Sequence, residues 1–247
     1  MKLEKLTPER VPAFLQACAA EHVMGSRIAA ALRADGPESG LFLFRPGLAL
    51  LFADGVVTVA AGQEETLAAD ELPEGAREVD GPEALCRALH DRLGGELESS
   101  YFMRYAGGPL AAEDPAMTPG EAETVFAILQ GSHEFYRTHL RYEPWRRALE
   151  ARRALGLAEA WQLAVDGRPV GTGSLVSQDD ECCVIGELAV LPPWRSRGLG
   201  SRMTRFLAGR ALAQGKTPRL MAGYDEVAGM YEKLGFVPEG RWGELYL

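Results

Sequence analysis

The residues best placed to do chemistry lie in one stretch, Glu187-Leu-Ala-Val-Leu-Pro-Pro-Trp-Arg-Ser-Arg-Gly-Leu-Gly-Ser-Arg-Met203. An apolar strand pattern ends at Pro192-Pro193, a short loop follows, and a helix pattern opens at the glycines. Gly198 and Gly200 have no side chain, so main-chain N–H groups can come close to phosphate oxygens. A helix start offers unpaired N–H donors and the positive end of the macrodipole at that place. Arg195, Arg197 and Arg202 add fork-shaped cationic donors suited to phosphate, and Ser196, Leu199 and Ser201 complete the loop. Physically this is a diphosphate cradle. Two other phosphate patterns are absent. No Lys-Ser/Thr pair follows a glycine, which excludes GxxxxGK[ST], and Gly198-Leu-Gly200 runs on into Ser201-Arg-Met203, which excludes GxGxxG.

The spacing Arg195-x-x-Gly198-x-Gly200, with Val190-x-Pro192 before it, resembles the coenzyme A pyrophosphate loop of the GNAT N-acetyltransferase superfamily. Tyr231-Glu-Lys-Leu-Gly-Phe236, after Met230, resembles the closing motif of the same superfamily. The resemblance covers Thr118–Leu247. It implies a GNAT fold in the C-terminal half, acetyl-CoA as acyl donor, no metal, and a primary amine as acceptor, carried by a small molecule rather than a protein. By position it also implies that the backbone of Leu188, Ala189 and Val190 pairs with the pantetheine arm as a peptide adds to a sheet edge. Residues 195–202 would then hold the pyrophosphate, and Tyr231 would be the general acid. A phenol of ordinary pKa about 10 can protonate a thiolate whose conjugate acid lies near about 8.5. Glu187 is the one acid on the cradle strand and the candidate base. Bases of the family often lie one residue earlier or farther upstream, where this chain has Gly186 and Val184, so a structural Glu187 paired with an arginine stays open. Seven residues before Tyr231 the family often has asparagine; here Tyr224 stands there, carried as a cofactor contact without the usual amide. Two other readings use the same cradle: a non-catalytic acyl-CoA sensor or scaffold, and a nucleotide-binding module.

These residues need elements to position them. Thr118, Pro119 and Glu121 read as a capping box opening a helix whose apolar face is Val125, Phe126, Leu129 and Phe135. The pattern then predicts a helix over 144–155, strands over 160–165 and 170–177 joined by Asp166-Gly167, a strand over 182–191 and a helix over 198–213. A strand over 219–224, a helix over 227–234 and a last strand over 240–247 follow. His133 and His139 are six apart, not the four that a helical zinc pair needs, so Glu134, Tyr136 and His139 remain a surface that can touch substrate. The four tryptophans read as packing or loop anchors. The proline- and glycine-rich stretch 106–119 is the expected linker, which gives domains 1–107 and 118–247 around a linker of 108–117.

The first half predicts helices over 7–22, 23–34 and 82–93, with short strands over 42–44, 48–53, 56–60 and 99–105. Residues 62–80 read as irregular. This half holds neither motif and gathers no chemistry, and it can be a degenerate copy of the same fold. The whole is a mixed α/β chain.

Composition sets the outer bounds. At 247 residues the chain can fill one large domain or two modest ones. A net charge of −9 argues against nucleic acid as a partner. Residues 1–110 hold 10 Lys+Arg against 17 Asp+Glu, whereas the arginines from 195 to 210 have no acid among them. The apolar runs are far too short for a membrane helix, and no apolar signal follows the N-terminal lysines, which predicts a cytoplasmic protein. Cys18, Cys86, Cys182 and Cys183 form no CxxC pair and read as small buried hydrophobes. The oligomeric state stays open, with a homodimer as one outcome.

Overall fold

The computed structural model describes residues 2–247, which gather into two compact units. The first takes the chain up to Met103 with Ala222–Asp225 and Pro238–Leu247; the second holds Arg104–Met221 and Glu226–Val237. The units are therefore not contiguous halves, because the end of the chain returns to the first.

The first unit begins with β1 (Glu4–Lys5), α1 (Val11–Cys18) and α2 (His22–Asp35). Glu21 caps α2 by accepting from the N–H groups of Val23 and Met24. A Cβ at Gly25 would stand 1.8 Å from the Cys18 carbonyl, so only glycine lets α2 cross the end of α1. The strands β2 (Leu41–Arg45), β3 (Leu48–Ala53) and β4 (Val56–Ala61) form an antiparallel meander. Asp54 and Gly55, both at positive φ, make the expected tight turn. Then come β5 (Glu78–Pro82), α3 (Glu83–Leu93) and β6 (Glu96–Tyr105). β5 runs parallel to β4. The core of this unit packs Leu48, Leu50, Val57, Val59 and Val79 under Leu85 and Leu89 of α3.

β5 corrects the reading of 62–80 as irregular. Its residues Glu78 and Asp80 share one face and it ends in Gly81-Pro82, which hides the β signal. Pairing makes it a strand, with β4 on one side and residues 242–246 on the other. The same pairing assembles chemistry that single-residue inspection missed in this half. Carboxylate oxygens of Glu78, Asp80 and Glu244 lie within 4.8 Å of one another. Burial first, then the neighbouring Glu78 and Glu244, raise the Asp80 carboxyl well above its usual range, against Arg27 of α2. Burial, Glu78 and Glu98 push Glu244 to about 7, against Arg27 and a bond from Tyr246. A raised carboxyl holds its proton more tightly folded than unfolded. Its contribution is fully present below the unfolded carboxylate range and is lost as pH rises through about 7. The thermal midpoint is expected to fall by roughly 5 °C between pH 5 and pH 8, and Asp80→Asn to flatten that slope, measured by thermal unfolding at several pH values.

The second unit follows with β7 (Met117–Pro119), α4 (Ala122–Ser132), α5 (Glu134–His139) and α6 (Tyr142–Ala154). Next are β8 (Glu159–Val165), β9 (Arg168–Gln178), β10 (Cys182–Val190), α7 (Leu199–Ala213), β11 (Thr217–Ala222), α8 (Asp225–Glu232) and β12 (Phe236–Tyr246), most of which returns to the first unit. Its sheet order is β11-β10-β9-β8-β7, with β10 and β11 parallel and the rest antiparallel. Thr118 does not cap a helix. It pairs with Gln162 in β7, and α4 starts after Glu121, which makes no side-chain cap. The predicted helix face also ends early. α4 stops at Ser132, His133 caps the separate α5 by accepting from the Phe135 N–H (3.2 Å), and Phe135 is exposed. The proline-rich stretch before β7 lies packed on α7. Asp114 takes two 2.6 Å bonds from Arg202, and a Cβ at Gly209 would stand 2.1 Å from the Ala111 carbonyl. All four cysteines are free and buried, and burial pushes each thiol up to about 12. No helix is long and apolar enough to cross a membrane among the described residues.

Candidate active site

α7 is amphipathic, and its start is set by a left-handed residue. Met203, Phe206, Leu207 and Ala211 are buried, while Gly198 at φ 74° forms the N-cap without a side-chain cap. Ser196 at φ 60° turns the chain the same way two residues earlier. The first intrahelical bond runs from the Arg202 N–H to the Gly198 carbonyl (2.9 Å). The N–H groups of Leu199, Gly200 and Ser201 therefore have no partner inside the helix, and they face the site with the helix dipole behind them. A Cβ at Gly198 or at Gly200 would meet nothing within 4 Å. The space kept open by the two glycines belongs to a pocket of about 450 Å³, lined by Val190, Trp194, Arg195, Ser196, Leu199, Ser201 and Met230. This shape and these donors fit a diphosphate, which is what coenzyme A carries.

The arginines of the loop serve its architecture. Arg195 donates through Nε to the Val190 carbonyl (3.1 Å) and through its other nitrogen to the Ser132 carbonyl, joining the end of β10 to the end of α4. Arg197 donates to the Pro193 carbonyl (3.2 Å) and lies over the Trp194 ring at 4.9 Å. Arg202 is held by Asp114, whose carboxyl it lowers. Of these arginines, Arg195 lines the pocket, its guanidinium held by main-chain carbonyls.

The strand leading into the cradle parts from its neighbour. β10 pairs with β11 from Cys182↔Thr217 to Ile185↔Leu220 and no farther, so Gly186–Val190 keep only the β9 side. The β9 register slips between Gly186 and Ala189, and Glu187 sits at that bulge with φ 52°. A non-glycine residue rarely adopts this backbone and needs anchoring. Glu187 is anchored at both oxygens: Trp145 Nε1 donates to Oε1 (2.6 Å) and Ser174 Oγ donates to Oε2 (2.7 Å). Its partners are an indole and a hydroxyl, not an arginine. Leu188 packs against α7 and β9, where a Cβ at Gly173 would come within 3 Å of Leu188, Leu207 and Met203.

Tyr231, on α8, is buried beside Phe236 at 5.8 Å between ring centres. Burial, and then the charge of Tyr136, push its phenol up to about 12. Burial and the charge of Glu187 push Tyr136 to about 12 as well. Glu187, Tyr136 and Tyr231 thus form one electrostatic group. Trp145 and Ser174 were not legible as site residues, because only the bulge makes them neighbours of Glu187, whereas Tyr136 was read beforehand as part of a surface that can touch substrate. Tyr224 falls with the first unit and is exposed.

The acetyltransferase (GNAT) family model matches residues 122–236. A GCN5-related N-acetyltransferase from Kribbella flavida superposes with a TM-score of 0.63 at 18% identity, covering 94% of this chain and 95% of that one. An acetyltransferase from the GNAT family of Colwellia psychrerythraea gives 0.57 at 14% identity over 100% of both chains. A tandem GNAT protein from the clavulanic acid biosynthesis pathway gives 0.60 at 14% identity over 98% of this chain and 97% of that one. At these identities the likeness is one of fold. No curated protein matches the sequence.

Proposed function

We propose that this protein is an acyltransferase of the GNAT family, whose model matches residues 122–236, and that it moves the acetyl group of acetyl-CoA to a small primary amine. Transfer occurs by direct attack in a ternary complex, with 118–247 supplying the chemistry and 1–107 non-catalytic. The observation that carries this reading is the sequence of devices along one strand: the bulge holding Glu187, the parted backbone of Gly186–Val190, and the bare-glycine helix start. The thioester supplies an activated acyl carbon and a sulfur leaving group. The N–H groups of Leu199, Gly200 and Ser201 hold the pyrophosphate, and Leu188–Val190 offer backbone to the pantetheine arm. Glu187, fixed by Trp145 and Ser174, accepts the proton that an ammonium must lose before attack. Tyr231, kept protonated by its burial, donates to the departing sulfur. Proximity supplies the remainder of the acceleration.

The test is thermal shift by acetyl-CoA alongside thiol release from acetyl-CoA with a panel of small amines. A rise in Tm of roughly 5–10 °C at a hundredfold excess over Kd, with amine-dependent thiol release, supports the reading. A shift without release for any amine supports a holding role, and no shift overturns the cradle.

A further inference from the structure

Val11 and Leu15 stand one turn apart on α1, outside the face that packs on the sheet. That face is Phe14, Ala17 and Cys18, all buried, with Phe14 edge-on to Phe42 and Phe44 of β2. Val11 and Leu15 are half-buried on the flank. With Leu6 before the helix and Leu32 of α2 beside it, they line a groove of about 300 Å³ walled by Pro8 and Pro37. Every lining residue belongs to the first unit, and the volume is at the lower end of the range for small-molecule sites. The lining is aliphatic and holds no aromatic ring.

Two polar side chains line the groove, Thr7 and Arg33, and no carboxylate does. Thr7 is turned to Glu9, whose carboxyl its hydroxyl helps to lower. Elsewhere in this unit arginines are held by acids: Arg10 by Glu4, Arg45 by Glu65 and Glu71, and Arg87 and Arg241 by Glu83. Arg33, in the last turn of α2, differs. Among the described residues no carboxylate or carbonyl holds its guanidinium. Burial raises the Cys18 thiol and the charge of Arg33 draws it down in part, so the guanidinium stands toward α1 and the groove. In a half of the chain where acids outnumber bases, this is a cation left open beside an apolar surface. One guanidinium offers one fork, which matches one carboxylate. A dianionic phosphate needs more donors than the groove provides.

We infer that this groove is a second ligand site, separate from the cradle, for a medium-chain fatty carboxylate. The carboxylate sits on the Arg33 fork, and the alkyl chain lies along Leu6, Val11, Leu15 and Leu32. The test is titration calorimetry of the full chain with octanoate, against neutral 1-octanol, cationic octylammonium and the shorter butanoate. Octanoate is expected to bind at least tenfold more tightly than octanol, and octylammonium not at all. Butanoate is expected to bind roughly a hundredfold more weakly, since each buried methylene is worth up to about fourfold. Arg33→Gln is expected to bring octanoate down to the level of octanol. Leu15→Trp is expected to abolish binding, because the larger side chain fills the groove. Arg33 is exposed and Leu15 is half-buried, so both variants are expected to keep Tm within a few degrees of the parent. Arg33→Gln disturbs no packing and decides alone if Leu15→Trp unfolds. Octanoate binding undiminished by Arg33→Gln, equal binding of octanol or octylammonium, or no binding at millimolar octanoate overturns the inference.

Discussion

Replacing Tyr231 by phenylalanine is expected to lower turnover with acetyl-CoA and amine about 10²–10⁴-fold while leaving acetyl-CoA affinity within about twofold. The ring stays, so the contact with Phe236 and the packing of α8 are kept, and the lost atom is the hydroxyl alone. Tyr231 is buried and its phenol is pushed to about 12, with burial the leading cause. A raised phenol remains protonated, so the acid form persists throughout the neutral and mildly alkaline range. With Glu187 taking the ammonium proton at the site, the rate of the parent protein is therefore expected to stay nearly level across the neutral range, with no falling limb below about pH 10. Steady-state rates from pH 6 to pH 10, with acetyl-CoA binding measured by calorimetry, check both statements. Unchanged turnover in the phenylalanine variant would remove Tyr231 from its role. A falling limb near pH 8–9 would show a different proton donor.

The open helix start was legible in the sequence because it depends on backbone freedom, and Gly198 and Gly200 mark such freedom directly. α7 and the strands around Asp166-Gly167 were legible for a similar reason: periodicity and turn chemistry are local. What escaped was decided by pairing across distance. β5 carries acids on one face, and only β4 and the returning C-terminal strand make it a strand. Thr118 has the local signature of a cap, yet its pairing with Gln162 wins, since a ladder bond in a sheet outweighs an optional cap. At the site, Glu187 stood out as an acid in an apolar run. That its backbone is left-handed, and that Trp145 and Ser174 reach it from 42 and 13 residues away, follow from the bulge and from the fold of α6 and β9 over it. The arginines were read as phosphate donors from their composition, and composition carried no sign of the bonds that Arg195 and Arg202 make to Val190, Ser132 and Asp114.

Glu187→Gln separates the two roles that one side chain can hold. The amide is isosteric with the carboxylate, its oxygen still accepts from Trp145 Nε1, and the Ser174 hydroxyl can turn to accept from the new NH₂. The anchoring of the bulge therefore survives, and Tm is expected to move by no more than a few degrees. The proton acceptor does not survive. Turnover is expected to drop about 10²–10⁴-fold at neutral pH with acetyl-CoA affinity preserved. The residual rate is then carried by amine already deprotonated in solution, so it is expected to climb about tenfold per pH unit up to the amine's own pKa, where parent and variant converge. A merely structural Glu187 gives a different pattern: near-parental turnover in the glutamine variant and an unchanged pH profile. Ser174→Ala supplies the control, because it leaves the carboxylate in place while freeing one oxygen. Its turnover is expected to fall less than that of Glu187→Gln and to keep the parent's pH dependence, since the acceptor is still present but held by Trp145 alone.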